Sequence, residues 1–240
     1  MPDEPPKNWG KDKLSEFLDL SEKNQLATFA NKTKAFYLLR EIDDCLQTTI
    51  DHLIDCEPYV TVFMFLRSHS SYRAACRIAM AGQFVESFPL CRLVLECGLY
   101  GYHIYKNVPA EKIWISRDDD ESSEKAARTE FSYGNVLRTL QADDSKLADI
   151  ASTLYKRAIG YGGHPNEAGV TASLQVLRQE KSFELKQVYL HGDSTQLDLG
   201  LKNVTQCGLF PLKLAQKMWD FRVKFSGVSE RIDKLEKENL

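Results

Sequence analysis

Apolar residues recur at every third or fourth position along most of this chain of 240 residues. The clearest case covers about 32–55, where the apolar positions are Phe36, Leu39, Ile42, Leu46, Ile50 and Leu53. Because an α-helix turns once in about 3.6 residues, this spacing gathers the apolar side chains on one helix face. Similar patterns predict helices over about 61–81, 85–106, 121–141 and 144–159. The fold is therefore predicted to be mainly α, a helical bundle.

One late segment departs from the helical pattern. Four glycines and a proline occur between residues 160 and 169. After them, 171–178 and 183–190 are rich in alternating Val, Leu, Phe and Tyr, with the polar residues 179–182 between the two runs. Alternation of this kind is typical of β-strands, and a short polar link is typical of a hairpin turn. The sequence predicts one β-hairpin, at about 170–191, inserted into the bundle.

The C-terminal part carries a heptad pattern. Its apolar residues follow alternating steps of four and three, at Leu214, Met218, Phe221, Phe225, Val228, Ile232 and Leu235. This stripe predicts one long helix from about Pro211, which packs on its own core or meets a second copy of the chain. We predict a single helical domain over 13–226, a flexible tail over 1–12 and a charged extension of the last helix over 227–240.

Composition restricts the function classes. The 31 basic and 34 acidic residues give a net charge of -3, which argues against nucleic-acid binding through bulk charge but not against a local basic patch. Uncharged runs are too short for a membrane span, and the acidic N-terminus does not resemble a signal peptide. The six cysteines form no C-x-x-C pair, so we expect reduced thiols in a cytoplasmic protein. We also expect no metal and no other cofactor.

Charged residues interrupt the apolar faces of two predicted helices. Arg73 and Arg77 share a face of the helix over 61–81, and Arg92, Glu96 and His103 share a face of the next helix. We expect these helices to bring Arg77, Arg92 and Glu96 together. Since buried charges are costly unless they are paired, one interpretation is a salt-bridge network between the helices. The other is an arginine-lined groove for a ligand that carries phosphate.

A second group of polar residues surrounds the glycine-rich segment. Arg157 and His164 are seven positions apart, and Tyr161, Asn166 and Glu167 lie beside them. The glycines allow a helix end and a loop to approach each other or a ligand closely. An exposed loop with His, Asn and Glu on a rigid helical frame is where functional residues concentrate. Arg157 and His164 are therefore candidate functional residues, with Tyr161, Asn166 and Glu167 as candidate supporting residues.

The Arg157-x6-His164 motif and the order of long helices resemble the HEPN superfamily, in particular bacterial HEPN-like proteins. Segments similar to Arg92-Leu93-Val94-Leu95-Glu96 recur in those proteins. The resemblance covers about 30–225 and implies a homodimer whose arginines and histidines line a shared cleft. It implies a metal-independent endoribonuclease, with His164 as general base on the ribose 2′-hydroxyl and Arg157 stabilising the phosphate charge. It also implies a bacterial defence or toxin–antitoxin setting, with RNA and a second protein of that system as partners.

A non-catalytic binding or regulatory protein is the alternative. It would use the arginine stripes and the C-terminal heptad stripe for contacts with a ligand or partner. The two hypotheses differ in the environment of Arg157 and His164. In the nuclease, these residues from two copies converge in an open two-fold cleft. In the binding protein, His164 points away or Arg157 is held in a salt bridge within its own chain.

Overall fold

The fold is described from a computed structural model, which covers residues 5–163, 167–178 and 182–239. Within these residues it contains twelve α-helices, a π-helical turn and a two-stranded antiparallel sheet. The helices are α1 (Lys13–Asn31), α2 (Thr33–Asp51), α3 (Tyr59–Met80), α4 (Phe84–Lys106), α5 (Pro109–Ile115), α6 (Glu121–Glu130), α7 (Tyr133–Asp143), α8 (Ser145–Ala158), α9 (Glu167–Thr171), α10 (Thr195–Met218), α11 (Asp220–Phe225) and α12 (Val228–Asn239). The π-turn is Ile159–Gly163, and the strands are β1 (Leu174–Arg178) and β2 (Phe183–Gln187). The predictions of a mainly α fold and of a late hairpin are confirmed.

Helices α3 and α4 form an antiparallel pair at the centre of the molecule. The Thr61 hydroxyl donates to the Gly101 carbonyl, and the Ser68 hydroxyl donates to the Val94 carbonyl, each at 3.1 Å. The start of α3 therefore lies beside the end of α4. Helix α10 packs against both of these helices and against α2, so that its buried residues complete the core.

A glycine permits the close approach of α10 to α3. The ring of Tyr72 on α3 is fully buried, and its hydroxyl donates to the Leu39 carbonyl on α2 at 2.9 Å. A Cβ atom on Gly208 of α10 would overlap this ring and would also lie 2.9 Å from Ile42. The contact between α10 and the α2–α3 layer therefore depends on the missing side chain at position 208.

The single long helix predicted from Pro211 is wrong. Helix α10 begins at Thr195, is capped by Ser194 and continues through Pro211 to Met218. A proline in a helix interior costs about 3 kcal/mol, which the burial of α10 on both sides of Pro211 offsets. The chain then breaks at Trp219, whose buried ring packs edge-on against Phe65 with the centroids 5.4 Å apart.

The heptad stripe consequently spans three helices. Gly227 has a φ of 72° and separates α11 from α12, which packs on α2 and α10. Val228 and Ile232 are buried, but Phe221 and Phe225 are exposed. Residues 227–240 were predicted to extend the last helix, whereas α12 is a separate helix that covers the core. The tail predicted over 1–12 lies partly outside the described residues.

One other sequence prediction needs correction, and one is confirmed. The helix predicted over 121–141 is divided into α6 and α7, because Phe131 turns into the core against Trp114, with the ring centroids 5.0 Å apart.

The predicted hairpin pairs Leu174 with Gln187 and Arg178 with Phe183, and neither strand buries an apolar face. The alternating pattern therefore predicts the two strands correctly. The turn predicted over 179–182 lies largely outside the described residues.

None of the described helices combines the length and the apolar character that a membrane span requires. The six cysteines are all free thiols, of which five are buried and Cys76 is half-buried. Burial raises the pKa of the Cys97 thiol to about 11, so that this group remains protonated at neutral pH.

Replacement of Gly208 tests the packing of α10. We expect Gly208→Ala to lower the free energy of unfolding by about 1–3 kcal/mol, because the added methyl group must displace Tyr72 or Ile42. Gly134→Ala on α7 is the matched control, since a Cβ atom there meets nothing within 4 Å. This control should raise the free energy of unfolding by up to about 1 kcal/mol. Urea titration measures both, and equal stability of the two variants would contradict this account of the packing.

Candidate functional site

Arg157 lies in the last turn of α8, a helix that an N-terminal cap and a buried face hold in place. The Asp144 side chain caps the first turn by accepting from the Leu147 backbone N–H at 3.0 Å. The buried face of α8 then holds the helix on the core through Leu147, Ala151, Leu154 and Ala158. Arg157 is half-buried at the edge of this face. Its side chain therefore leaves a rigid helix rather than a loop.

The π-turn after α8 lies tightly against the start of α4. A Cβ atom on Gly162 would be 2.7 Å from the Val85 carbonyl oxygen and 2.8 Å from Cδ of Pro89. A glycine is therefore required for this approach. The turn places Tyr161 on Phe88, where the rings stack with centroids 5.0 Å apart at 23°. The glycine-rich segment thus fixes an aromatic side chain one turn beyond Arg157.

The guanidinium group of Arg157 is held by two neutral amides of α10. Its Nη1 donates to Oε1 of Gln206 at 2.7 Å and to Oδ1 of Asn203 at 3.3 Å. Asn203 is buried, and its Nδ2 has no hydrogen-bond partner among the described residues. No described carboxylate forms an ion pair with Arg157. The amides therefore orient the group, and no described carboxylate neutralises its positive charge.

Two cavities meet at Arg157. The basic cavity encloses about 250 Å³ and is lined by Phe84, Phe88, Arg157, Tyr161, Leu199, Lys202 and Gln206. The apolar cavity encloses about 310 Å³ and is lined by Leu147, Asp149, Ile150, Thr153, Leu154, Arg157, Gln206, Leu209, Phe210, Lys213 and Glu236. Two cations and no described carboxylate line the basic cavity. In the apolar cavity, by contrast, Lys213 is paired with Glu236 at 2.8 Å.

The other members of the predicted catalytic group have different outcomes. His164 and Asn166 lie outside the described residues, so their placement stays a prediction. Glu167 is exposed at the start of α9. Tyr161 lines the basic cavity with Arg157. The structure therefore brings Arg157 and Tyr161 together at one cavity and leaves Glu167 outside its lining.

The predicted meeting of Arg77, Arg92 and Glu96 is wrong. Arg77 is exposed on α3, whereas Nε of Arg92 donates to Oε1 of Glu96 at 2.8 Å within α4. The remaining donor to Glu96 is the hydroxyl of Tyr155 on α8, at 3.0 Å. Burial, with a contribution from Glu96, raises the pKa of Tyr155 to about 12. The side chains of Arg92, Glu96 and Tyr155 therefore join α4 to α8. Arg77 takes no part in this cluster, because the charged face of α3 points to solvent instead of to α4.

Arg73 and His103 belong to separate structural clusters. Arg73 donates to both oxygens of Asp43 at 2.8 and 3.0 Å, and His69 contacts the same carboxylate at 2.7 Å. The buried ring of His103 contacts the Thr139 hydroxyl at 2.7 Å and the Glu130 carboxylate at 2.9 Å. Neither residue lines the basic cavity. Both therefore link helices within the bundle.

Sequence reasoning missed Lys202, Asn203 and Gln206. A signal exists for Asn203, because this amide interrupts a run of buried positions on α10, whereas Lys202 is exposed and Gln206 is half-buried. An amide in such a run needs a hydrogen-bond partner, which here is Arg157. The sequence alone does not show that α8 supplies this partner.

Two further observations concern metal-binding clusters and similarity to known proteins. Within 5–163, 167–178 and 182–239, no three His, Cys, Asp or Glu side chains cluster in a way that could hold a metal ion. The chain matches no family model, no curated protein and no solved structure. Any proposal of function therefore depends on the residues themselves and on the resemblance given by the Arg157 motif.

The Asp43 cluster gives a testable pH dependence. Burial opposes ionisation of Asp43, but the hydrogen bonds from His69 and Arg73 prevail and lower its pKa from 3.8 to about 2. A lowered folded-state pKa gives stability that is complete above about pH 4 and is lost as the pH falls towards 2. We expect Asp43→Asn to lose about 1–2 kcal/mol at pH 7 and much less at pH 2.

The measurement is chemical denaturation at several pH values. Asp233→Asn, at an exposed position of α12, serves as the control and should change stability by less than about 0.5 kcal/mol at either pH. A loss for Asp43→Asn that stays constant from pH 7 to pH 2 would show that its ionisation contributes nothing.

Proposed function

We propose that this protein is a metal-independent endoribonuclease of the HEPN type, in which Arg157 binds the phosphate that is attacked. One observation carries the proposal: a half-buried guanidinium is held by two neutral amides beside a cavity whose described lining contains no carboxylate. A structural arginine at such a position is normally neutralised by a carboxylate. An uncompensated and oriented guanidinium suits the binding of an external phosphate.

The proposed reaction is an internal transesterification. The ribose 2′-oxygen attacks phosphorus, and a general base accepts the proton of the 2′-hydroxyl. The bond to the 5′-oxygen of the next nucleotide breaks, and that oxygen takes up a proton. The products are a 2′,3′-cyclic phosphate and a free 5′-hydroxyl. His164 is proposed as the group that transfers the proton, on the basis of the motif alone.

Arg157 would stabilise the charge that develops on the non-bridging phosphate oxygens. Because Asn203 and Gln206 already fix the guanidinium, little reorganisation is needed when this charge appears. The proposal includes a homodimer, in which a second copy supplies another Arg157 and His164 to a shared cleft. A role in bacterial defence or in a toxin–antitoxin pair, with a second protein as partner, belongs to the same proposal and rests on the resemblance.

A non-catalytic binding protein is the second candidate, and the apolar cavity favours it. This cavity shares Arg157 and Gln206 with the basic cavity, and apolar side chains of α8 and α10 form much of its lining beside the charged residues Asp149, Lys213 and Glu236. An anionic ligand with an apolar body would satisfy the cavity and the arginine without any chemistry. RNA cleavage distinguishes the two candidates. The nuclease produces RNA fragments with 2′,3′-cyclic phosphate ends, whereas the binding protein produces none.

Cleavage of total RNA in excess EDTA tests the proposed activity. We expect the wild-type protein to leave 2′,3′-cyclic phosphate ends, which a phosphatase specific for linear phosphates does not remove. Arg157→Gln and His164→Ala should each lower the rate by about 10²- to 10³-fold, the usual effect of removing one group that stabilises the transition state.

Arg128→Gln on α6 is the matched control, because Arg128 is an exposed arginine that lines neither cavity. Its cleavage rate should stay within about twofold of the wild-type rate. Equal cutting by the wild type and by all variants would assign the activity to another site. The complete absence of cutting would favour the binding protein.

A further inference from the structure

We infer that the basic cavity is a nucleotide-binding site, in which Arg157 and Lys202 hold a phosphate and Tyr161 packs against the base. The inference rests on the proposed function in one respect, since it takes the bound phosphate to belong to RNA. It adds to the proposed function the part of the RNA that the cavity recognises, which is one nucleotide with its base and phosphate. The substrate class would be single-stranded RNA, because a base must leave its helical stack to enter a protein cavity.

The two cations of the cavity face the same space from opposite helices. Arg157 extends from α8 and donates to Gln206, while Lys202 lies one turn before Gln206 on α10. Both side chains line the same cavity of about 250 Å³, so one phosphate bound there would contact both positive groups. Lys202 is exposed and forms no ion pair with a described carboxylate. The cavity therefore attracts anions through two charges.

A neighbouring cavity differs from the basic cavity in its carboxylates. It encloses about 580 Å³ and is lined by Lys34 and Lys202, but also by Asp198 and Glu238. Its Lys32 is paired with Asp193 at 2.7 Å and with Asp198 at 2.8 Å, and these carboxylates raise the pKa of Lys32. The larger cavity thus mixes both signs of charge, whereas no carboxylate among the described residues lines the basic cavity.

The remaining wall is aromatic and apolar. Phe84 and Phe88 are only 4% and 1% exposed, so the half-buried ring of Tyr161 is the aromatic surface that an incoming group meets. Tyr161 is held in place by Phe88 at 5.0 Å and by Phe84 at 5.5 Å. Leu199 forms the opposite apolar wall from α10. An inorganic anion would leave these surfaces unused, whereas a planar base covers them.

The size of the cavity limits the ligand. Cavities for drug-sized ligands commonly enclose about 300–1,000 Å³, so the volume of about 250 Å³ suits one small ring system. Gln206 supplies an amide at the rim, which can hydrogen-bond an edge of the base while its Oε1 accepts from Arg157. The cavity therefore matches one nucleotide with its phosphate at Arg157.

Calorimetric titration with small probes tests this inference without any cleavage. The probes are the four nucleoside 3′-monophosphates, the corresponding nucleosides and inorganic phosphate. We expect at least one nucleotide to bind about 10-fold or more tightly than phosphate or its nucleoside, since a base stacked on an aromatic ring gains about 5- to 150-fold. Tyr161→Ala should remove this preference and leave phosphate binding unchanged, whereas Tyr161→Phe should retain it.

Charge variants complete the experiment. Arg157→Gln should weaken nucleotide and phosphate binding by about 10-fold or more, and Lys202→Gln, at an exposed position, should weaken both without a change in stability. Lys156→Gln is the matched control, because it removes one positive charge next to Arg157 from a side chain that is exposed and does not line the cavity. It should change binding by less than twofold.

The outcomes separate the inference from the proposed nuclease. Selective nucleotide binding without RNA cleavage would support the cavity and refute the enzyme. Cleavage by a protein that binds phosphate and nucleotides equally, with Tyr161→Ala unchanged, would support the enzyme and overturn the base site. The absence of binding to any probe, in a protein whose circular dichroism shows it to be folded, would also overturn the inference.

Discussion

The close packing of α10 on the α3–α4 pair is the constraint on which the rest of the structure depends. It is possible because Gly208 leaves room for the buried ring of Tyr72. This contact fixes the height and rotation of α10, and therefore the direction of Asn203 and Gln206, which lie less than two turns earlier. The two amides reach Arg157 only in this arrangement. The contact of Gly208 with Tyr72 thus determines both the packing of α10 in the core and the orientation of the two amides at the candidate site.

The way in which Arg157 is held explains why the site is suited to anions. A carboxylate partner would have oriented the guanidinium equally well, but it would also have neutralised the charge. Amide oxygens orient the group and leave the charge available, at the cost of a buried Nδ2 of Asn203 that has no hydrogen-bond partner among the described residues. Elsewhere in the described chain, Arg73 and Arg92 are paired with carboxylates. The contrast separates these two structural arginines from Arg157, which lines the basic cavity.

Local patterns predicted most of the helices, because apolar periodicity and capping residues act over a few positions. The failures arose where distant contacts overrule local rules. Pro211 remains inside α10 since the burial of its neighbours offsets the lost hydrogen bond, and Phe131 divides a predicted helix because its ring packs on Trp114. Arg157 could be identified from its motif. Its partners Asn203 and Gln206 could not, because they are more than forty positions away along the chain.

The central claim is that the guanidinium of Arg157 binds an RNA phosphate. NMR of the arginine side-chain Nε–Hε groups tests it most directly, during titration with a dinucleotide that has hydrogen in place of the 2′-hydroxyl and so cannot be cleaved. The account predicts a saturable shift of the Arg157 signal, with the signal of the exposed Arg128 unchanged. If the Arg157 signal does not move while the dinucleotide binds elsewhere, or if all exposed arginines shift equally, Arg157 is not the phosphate-binding group.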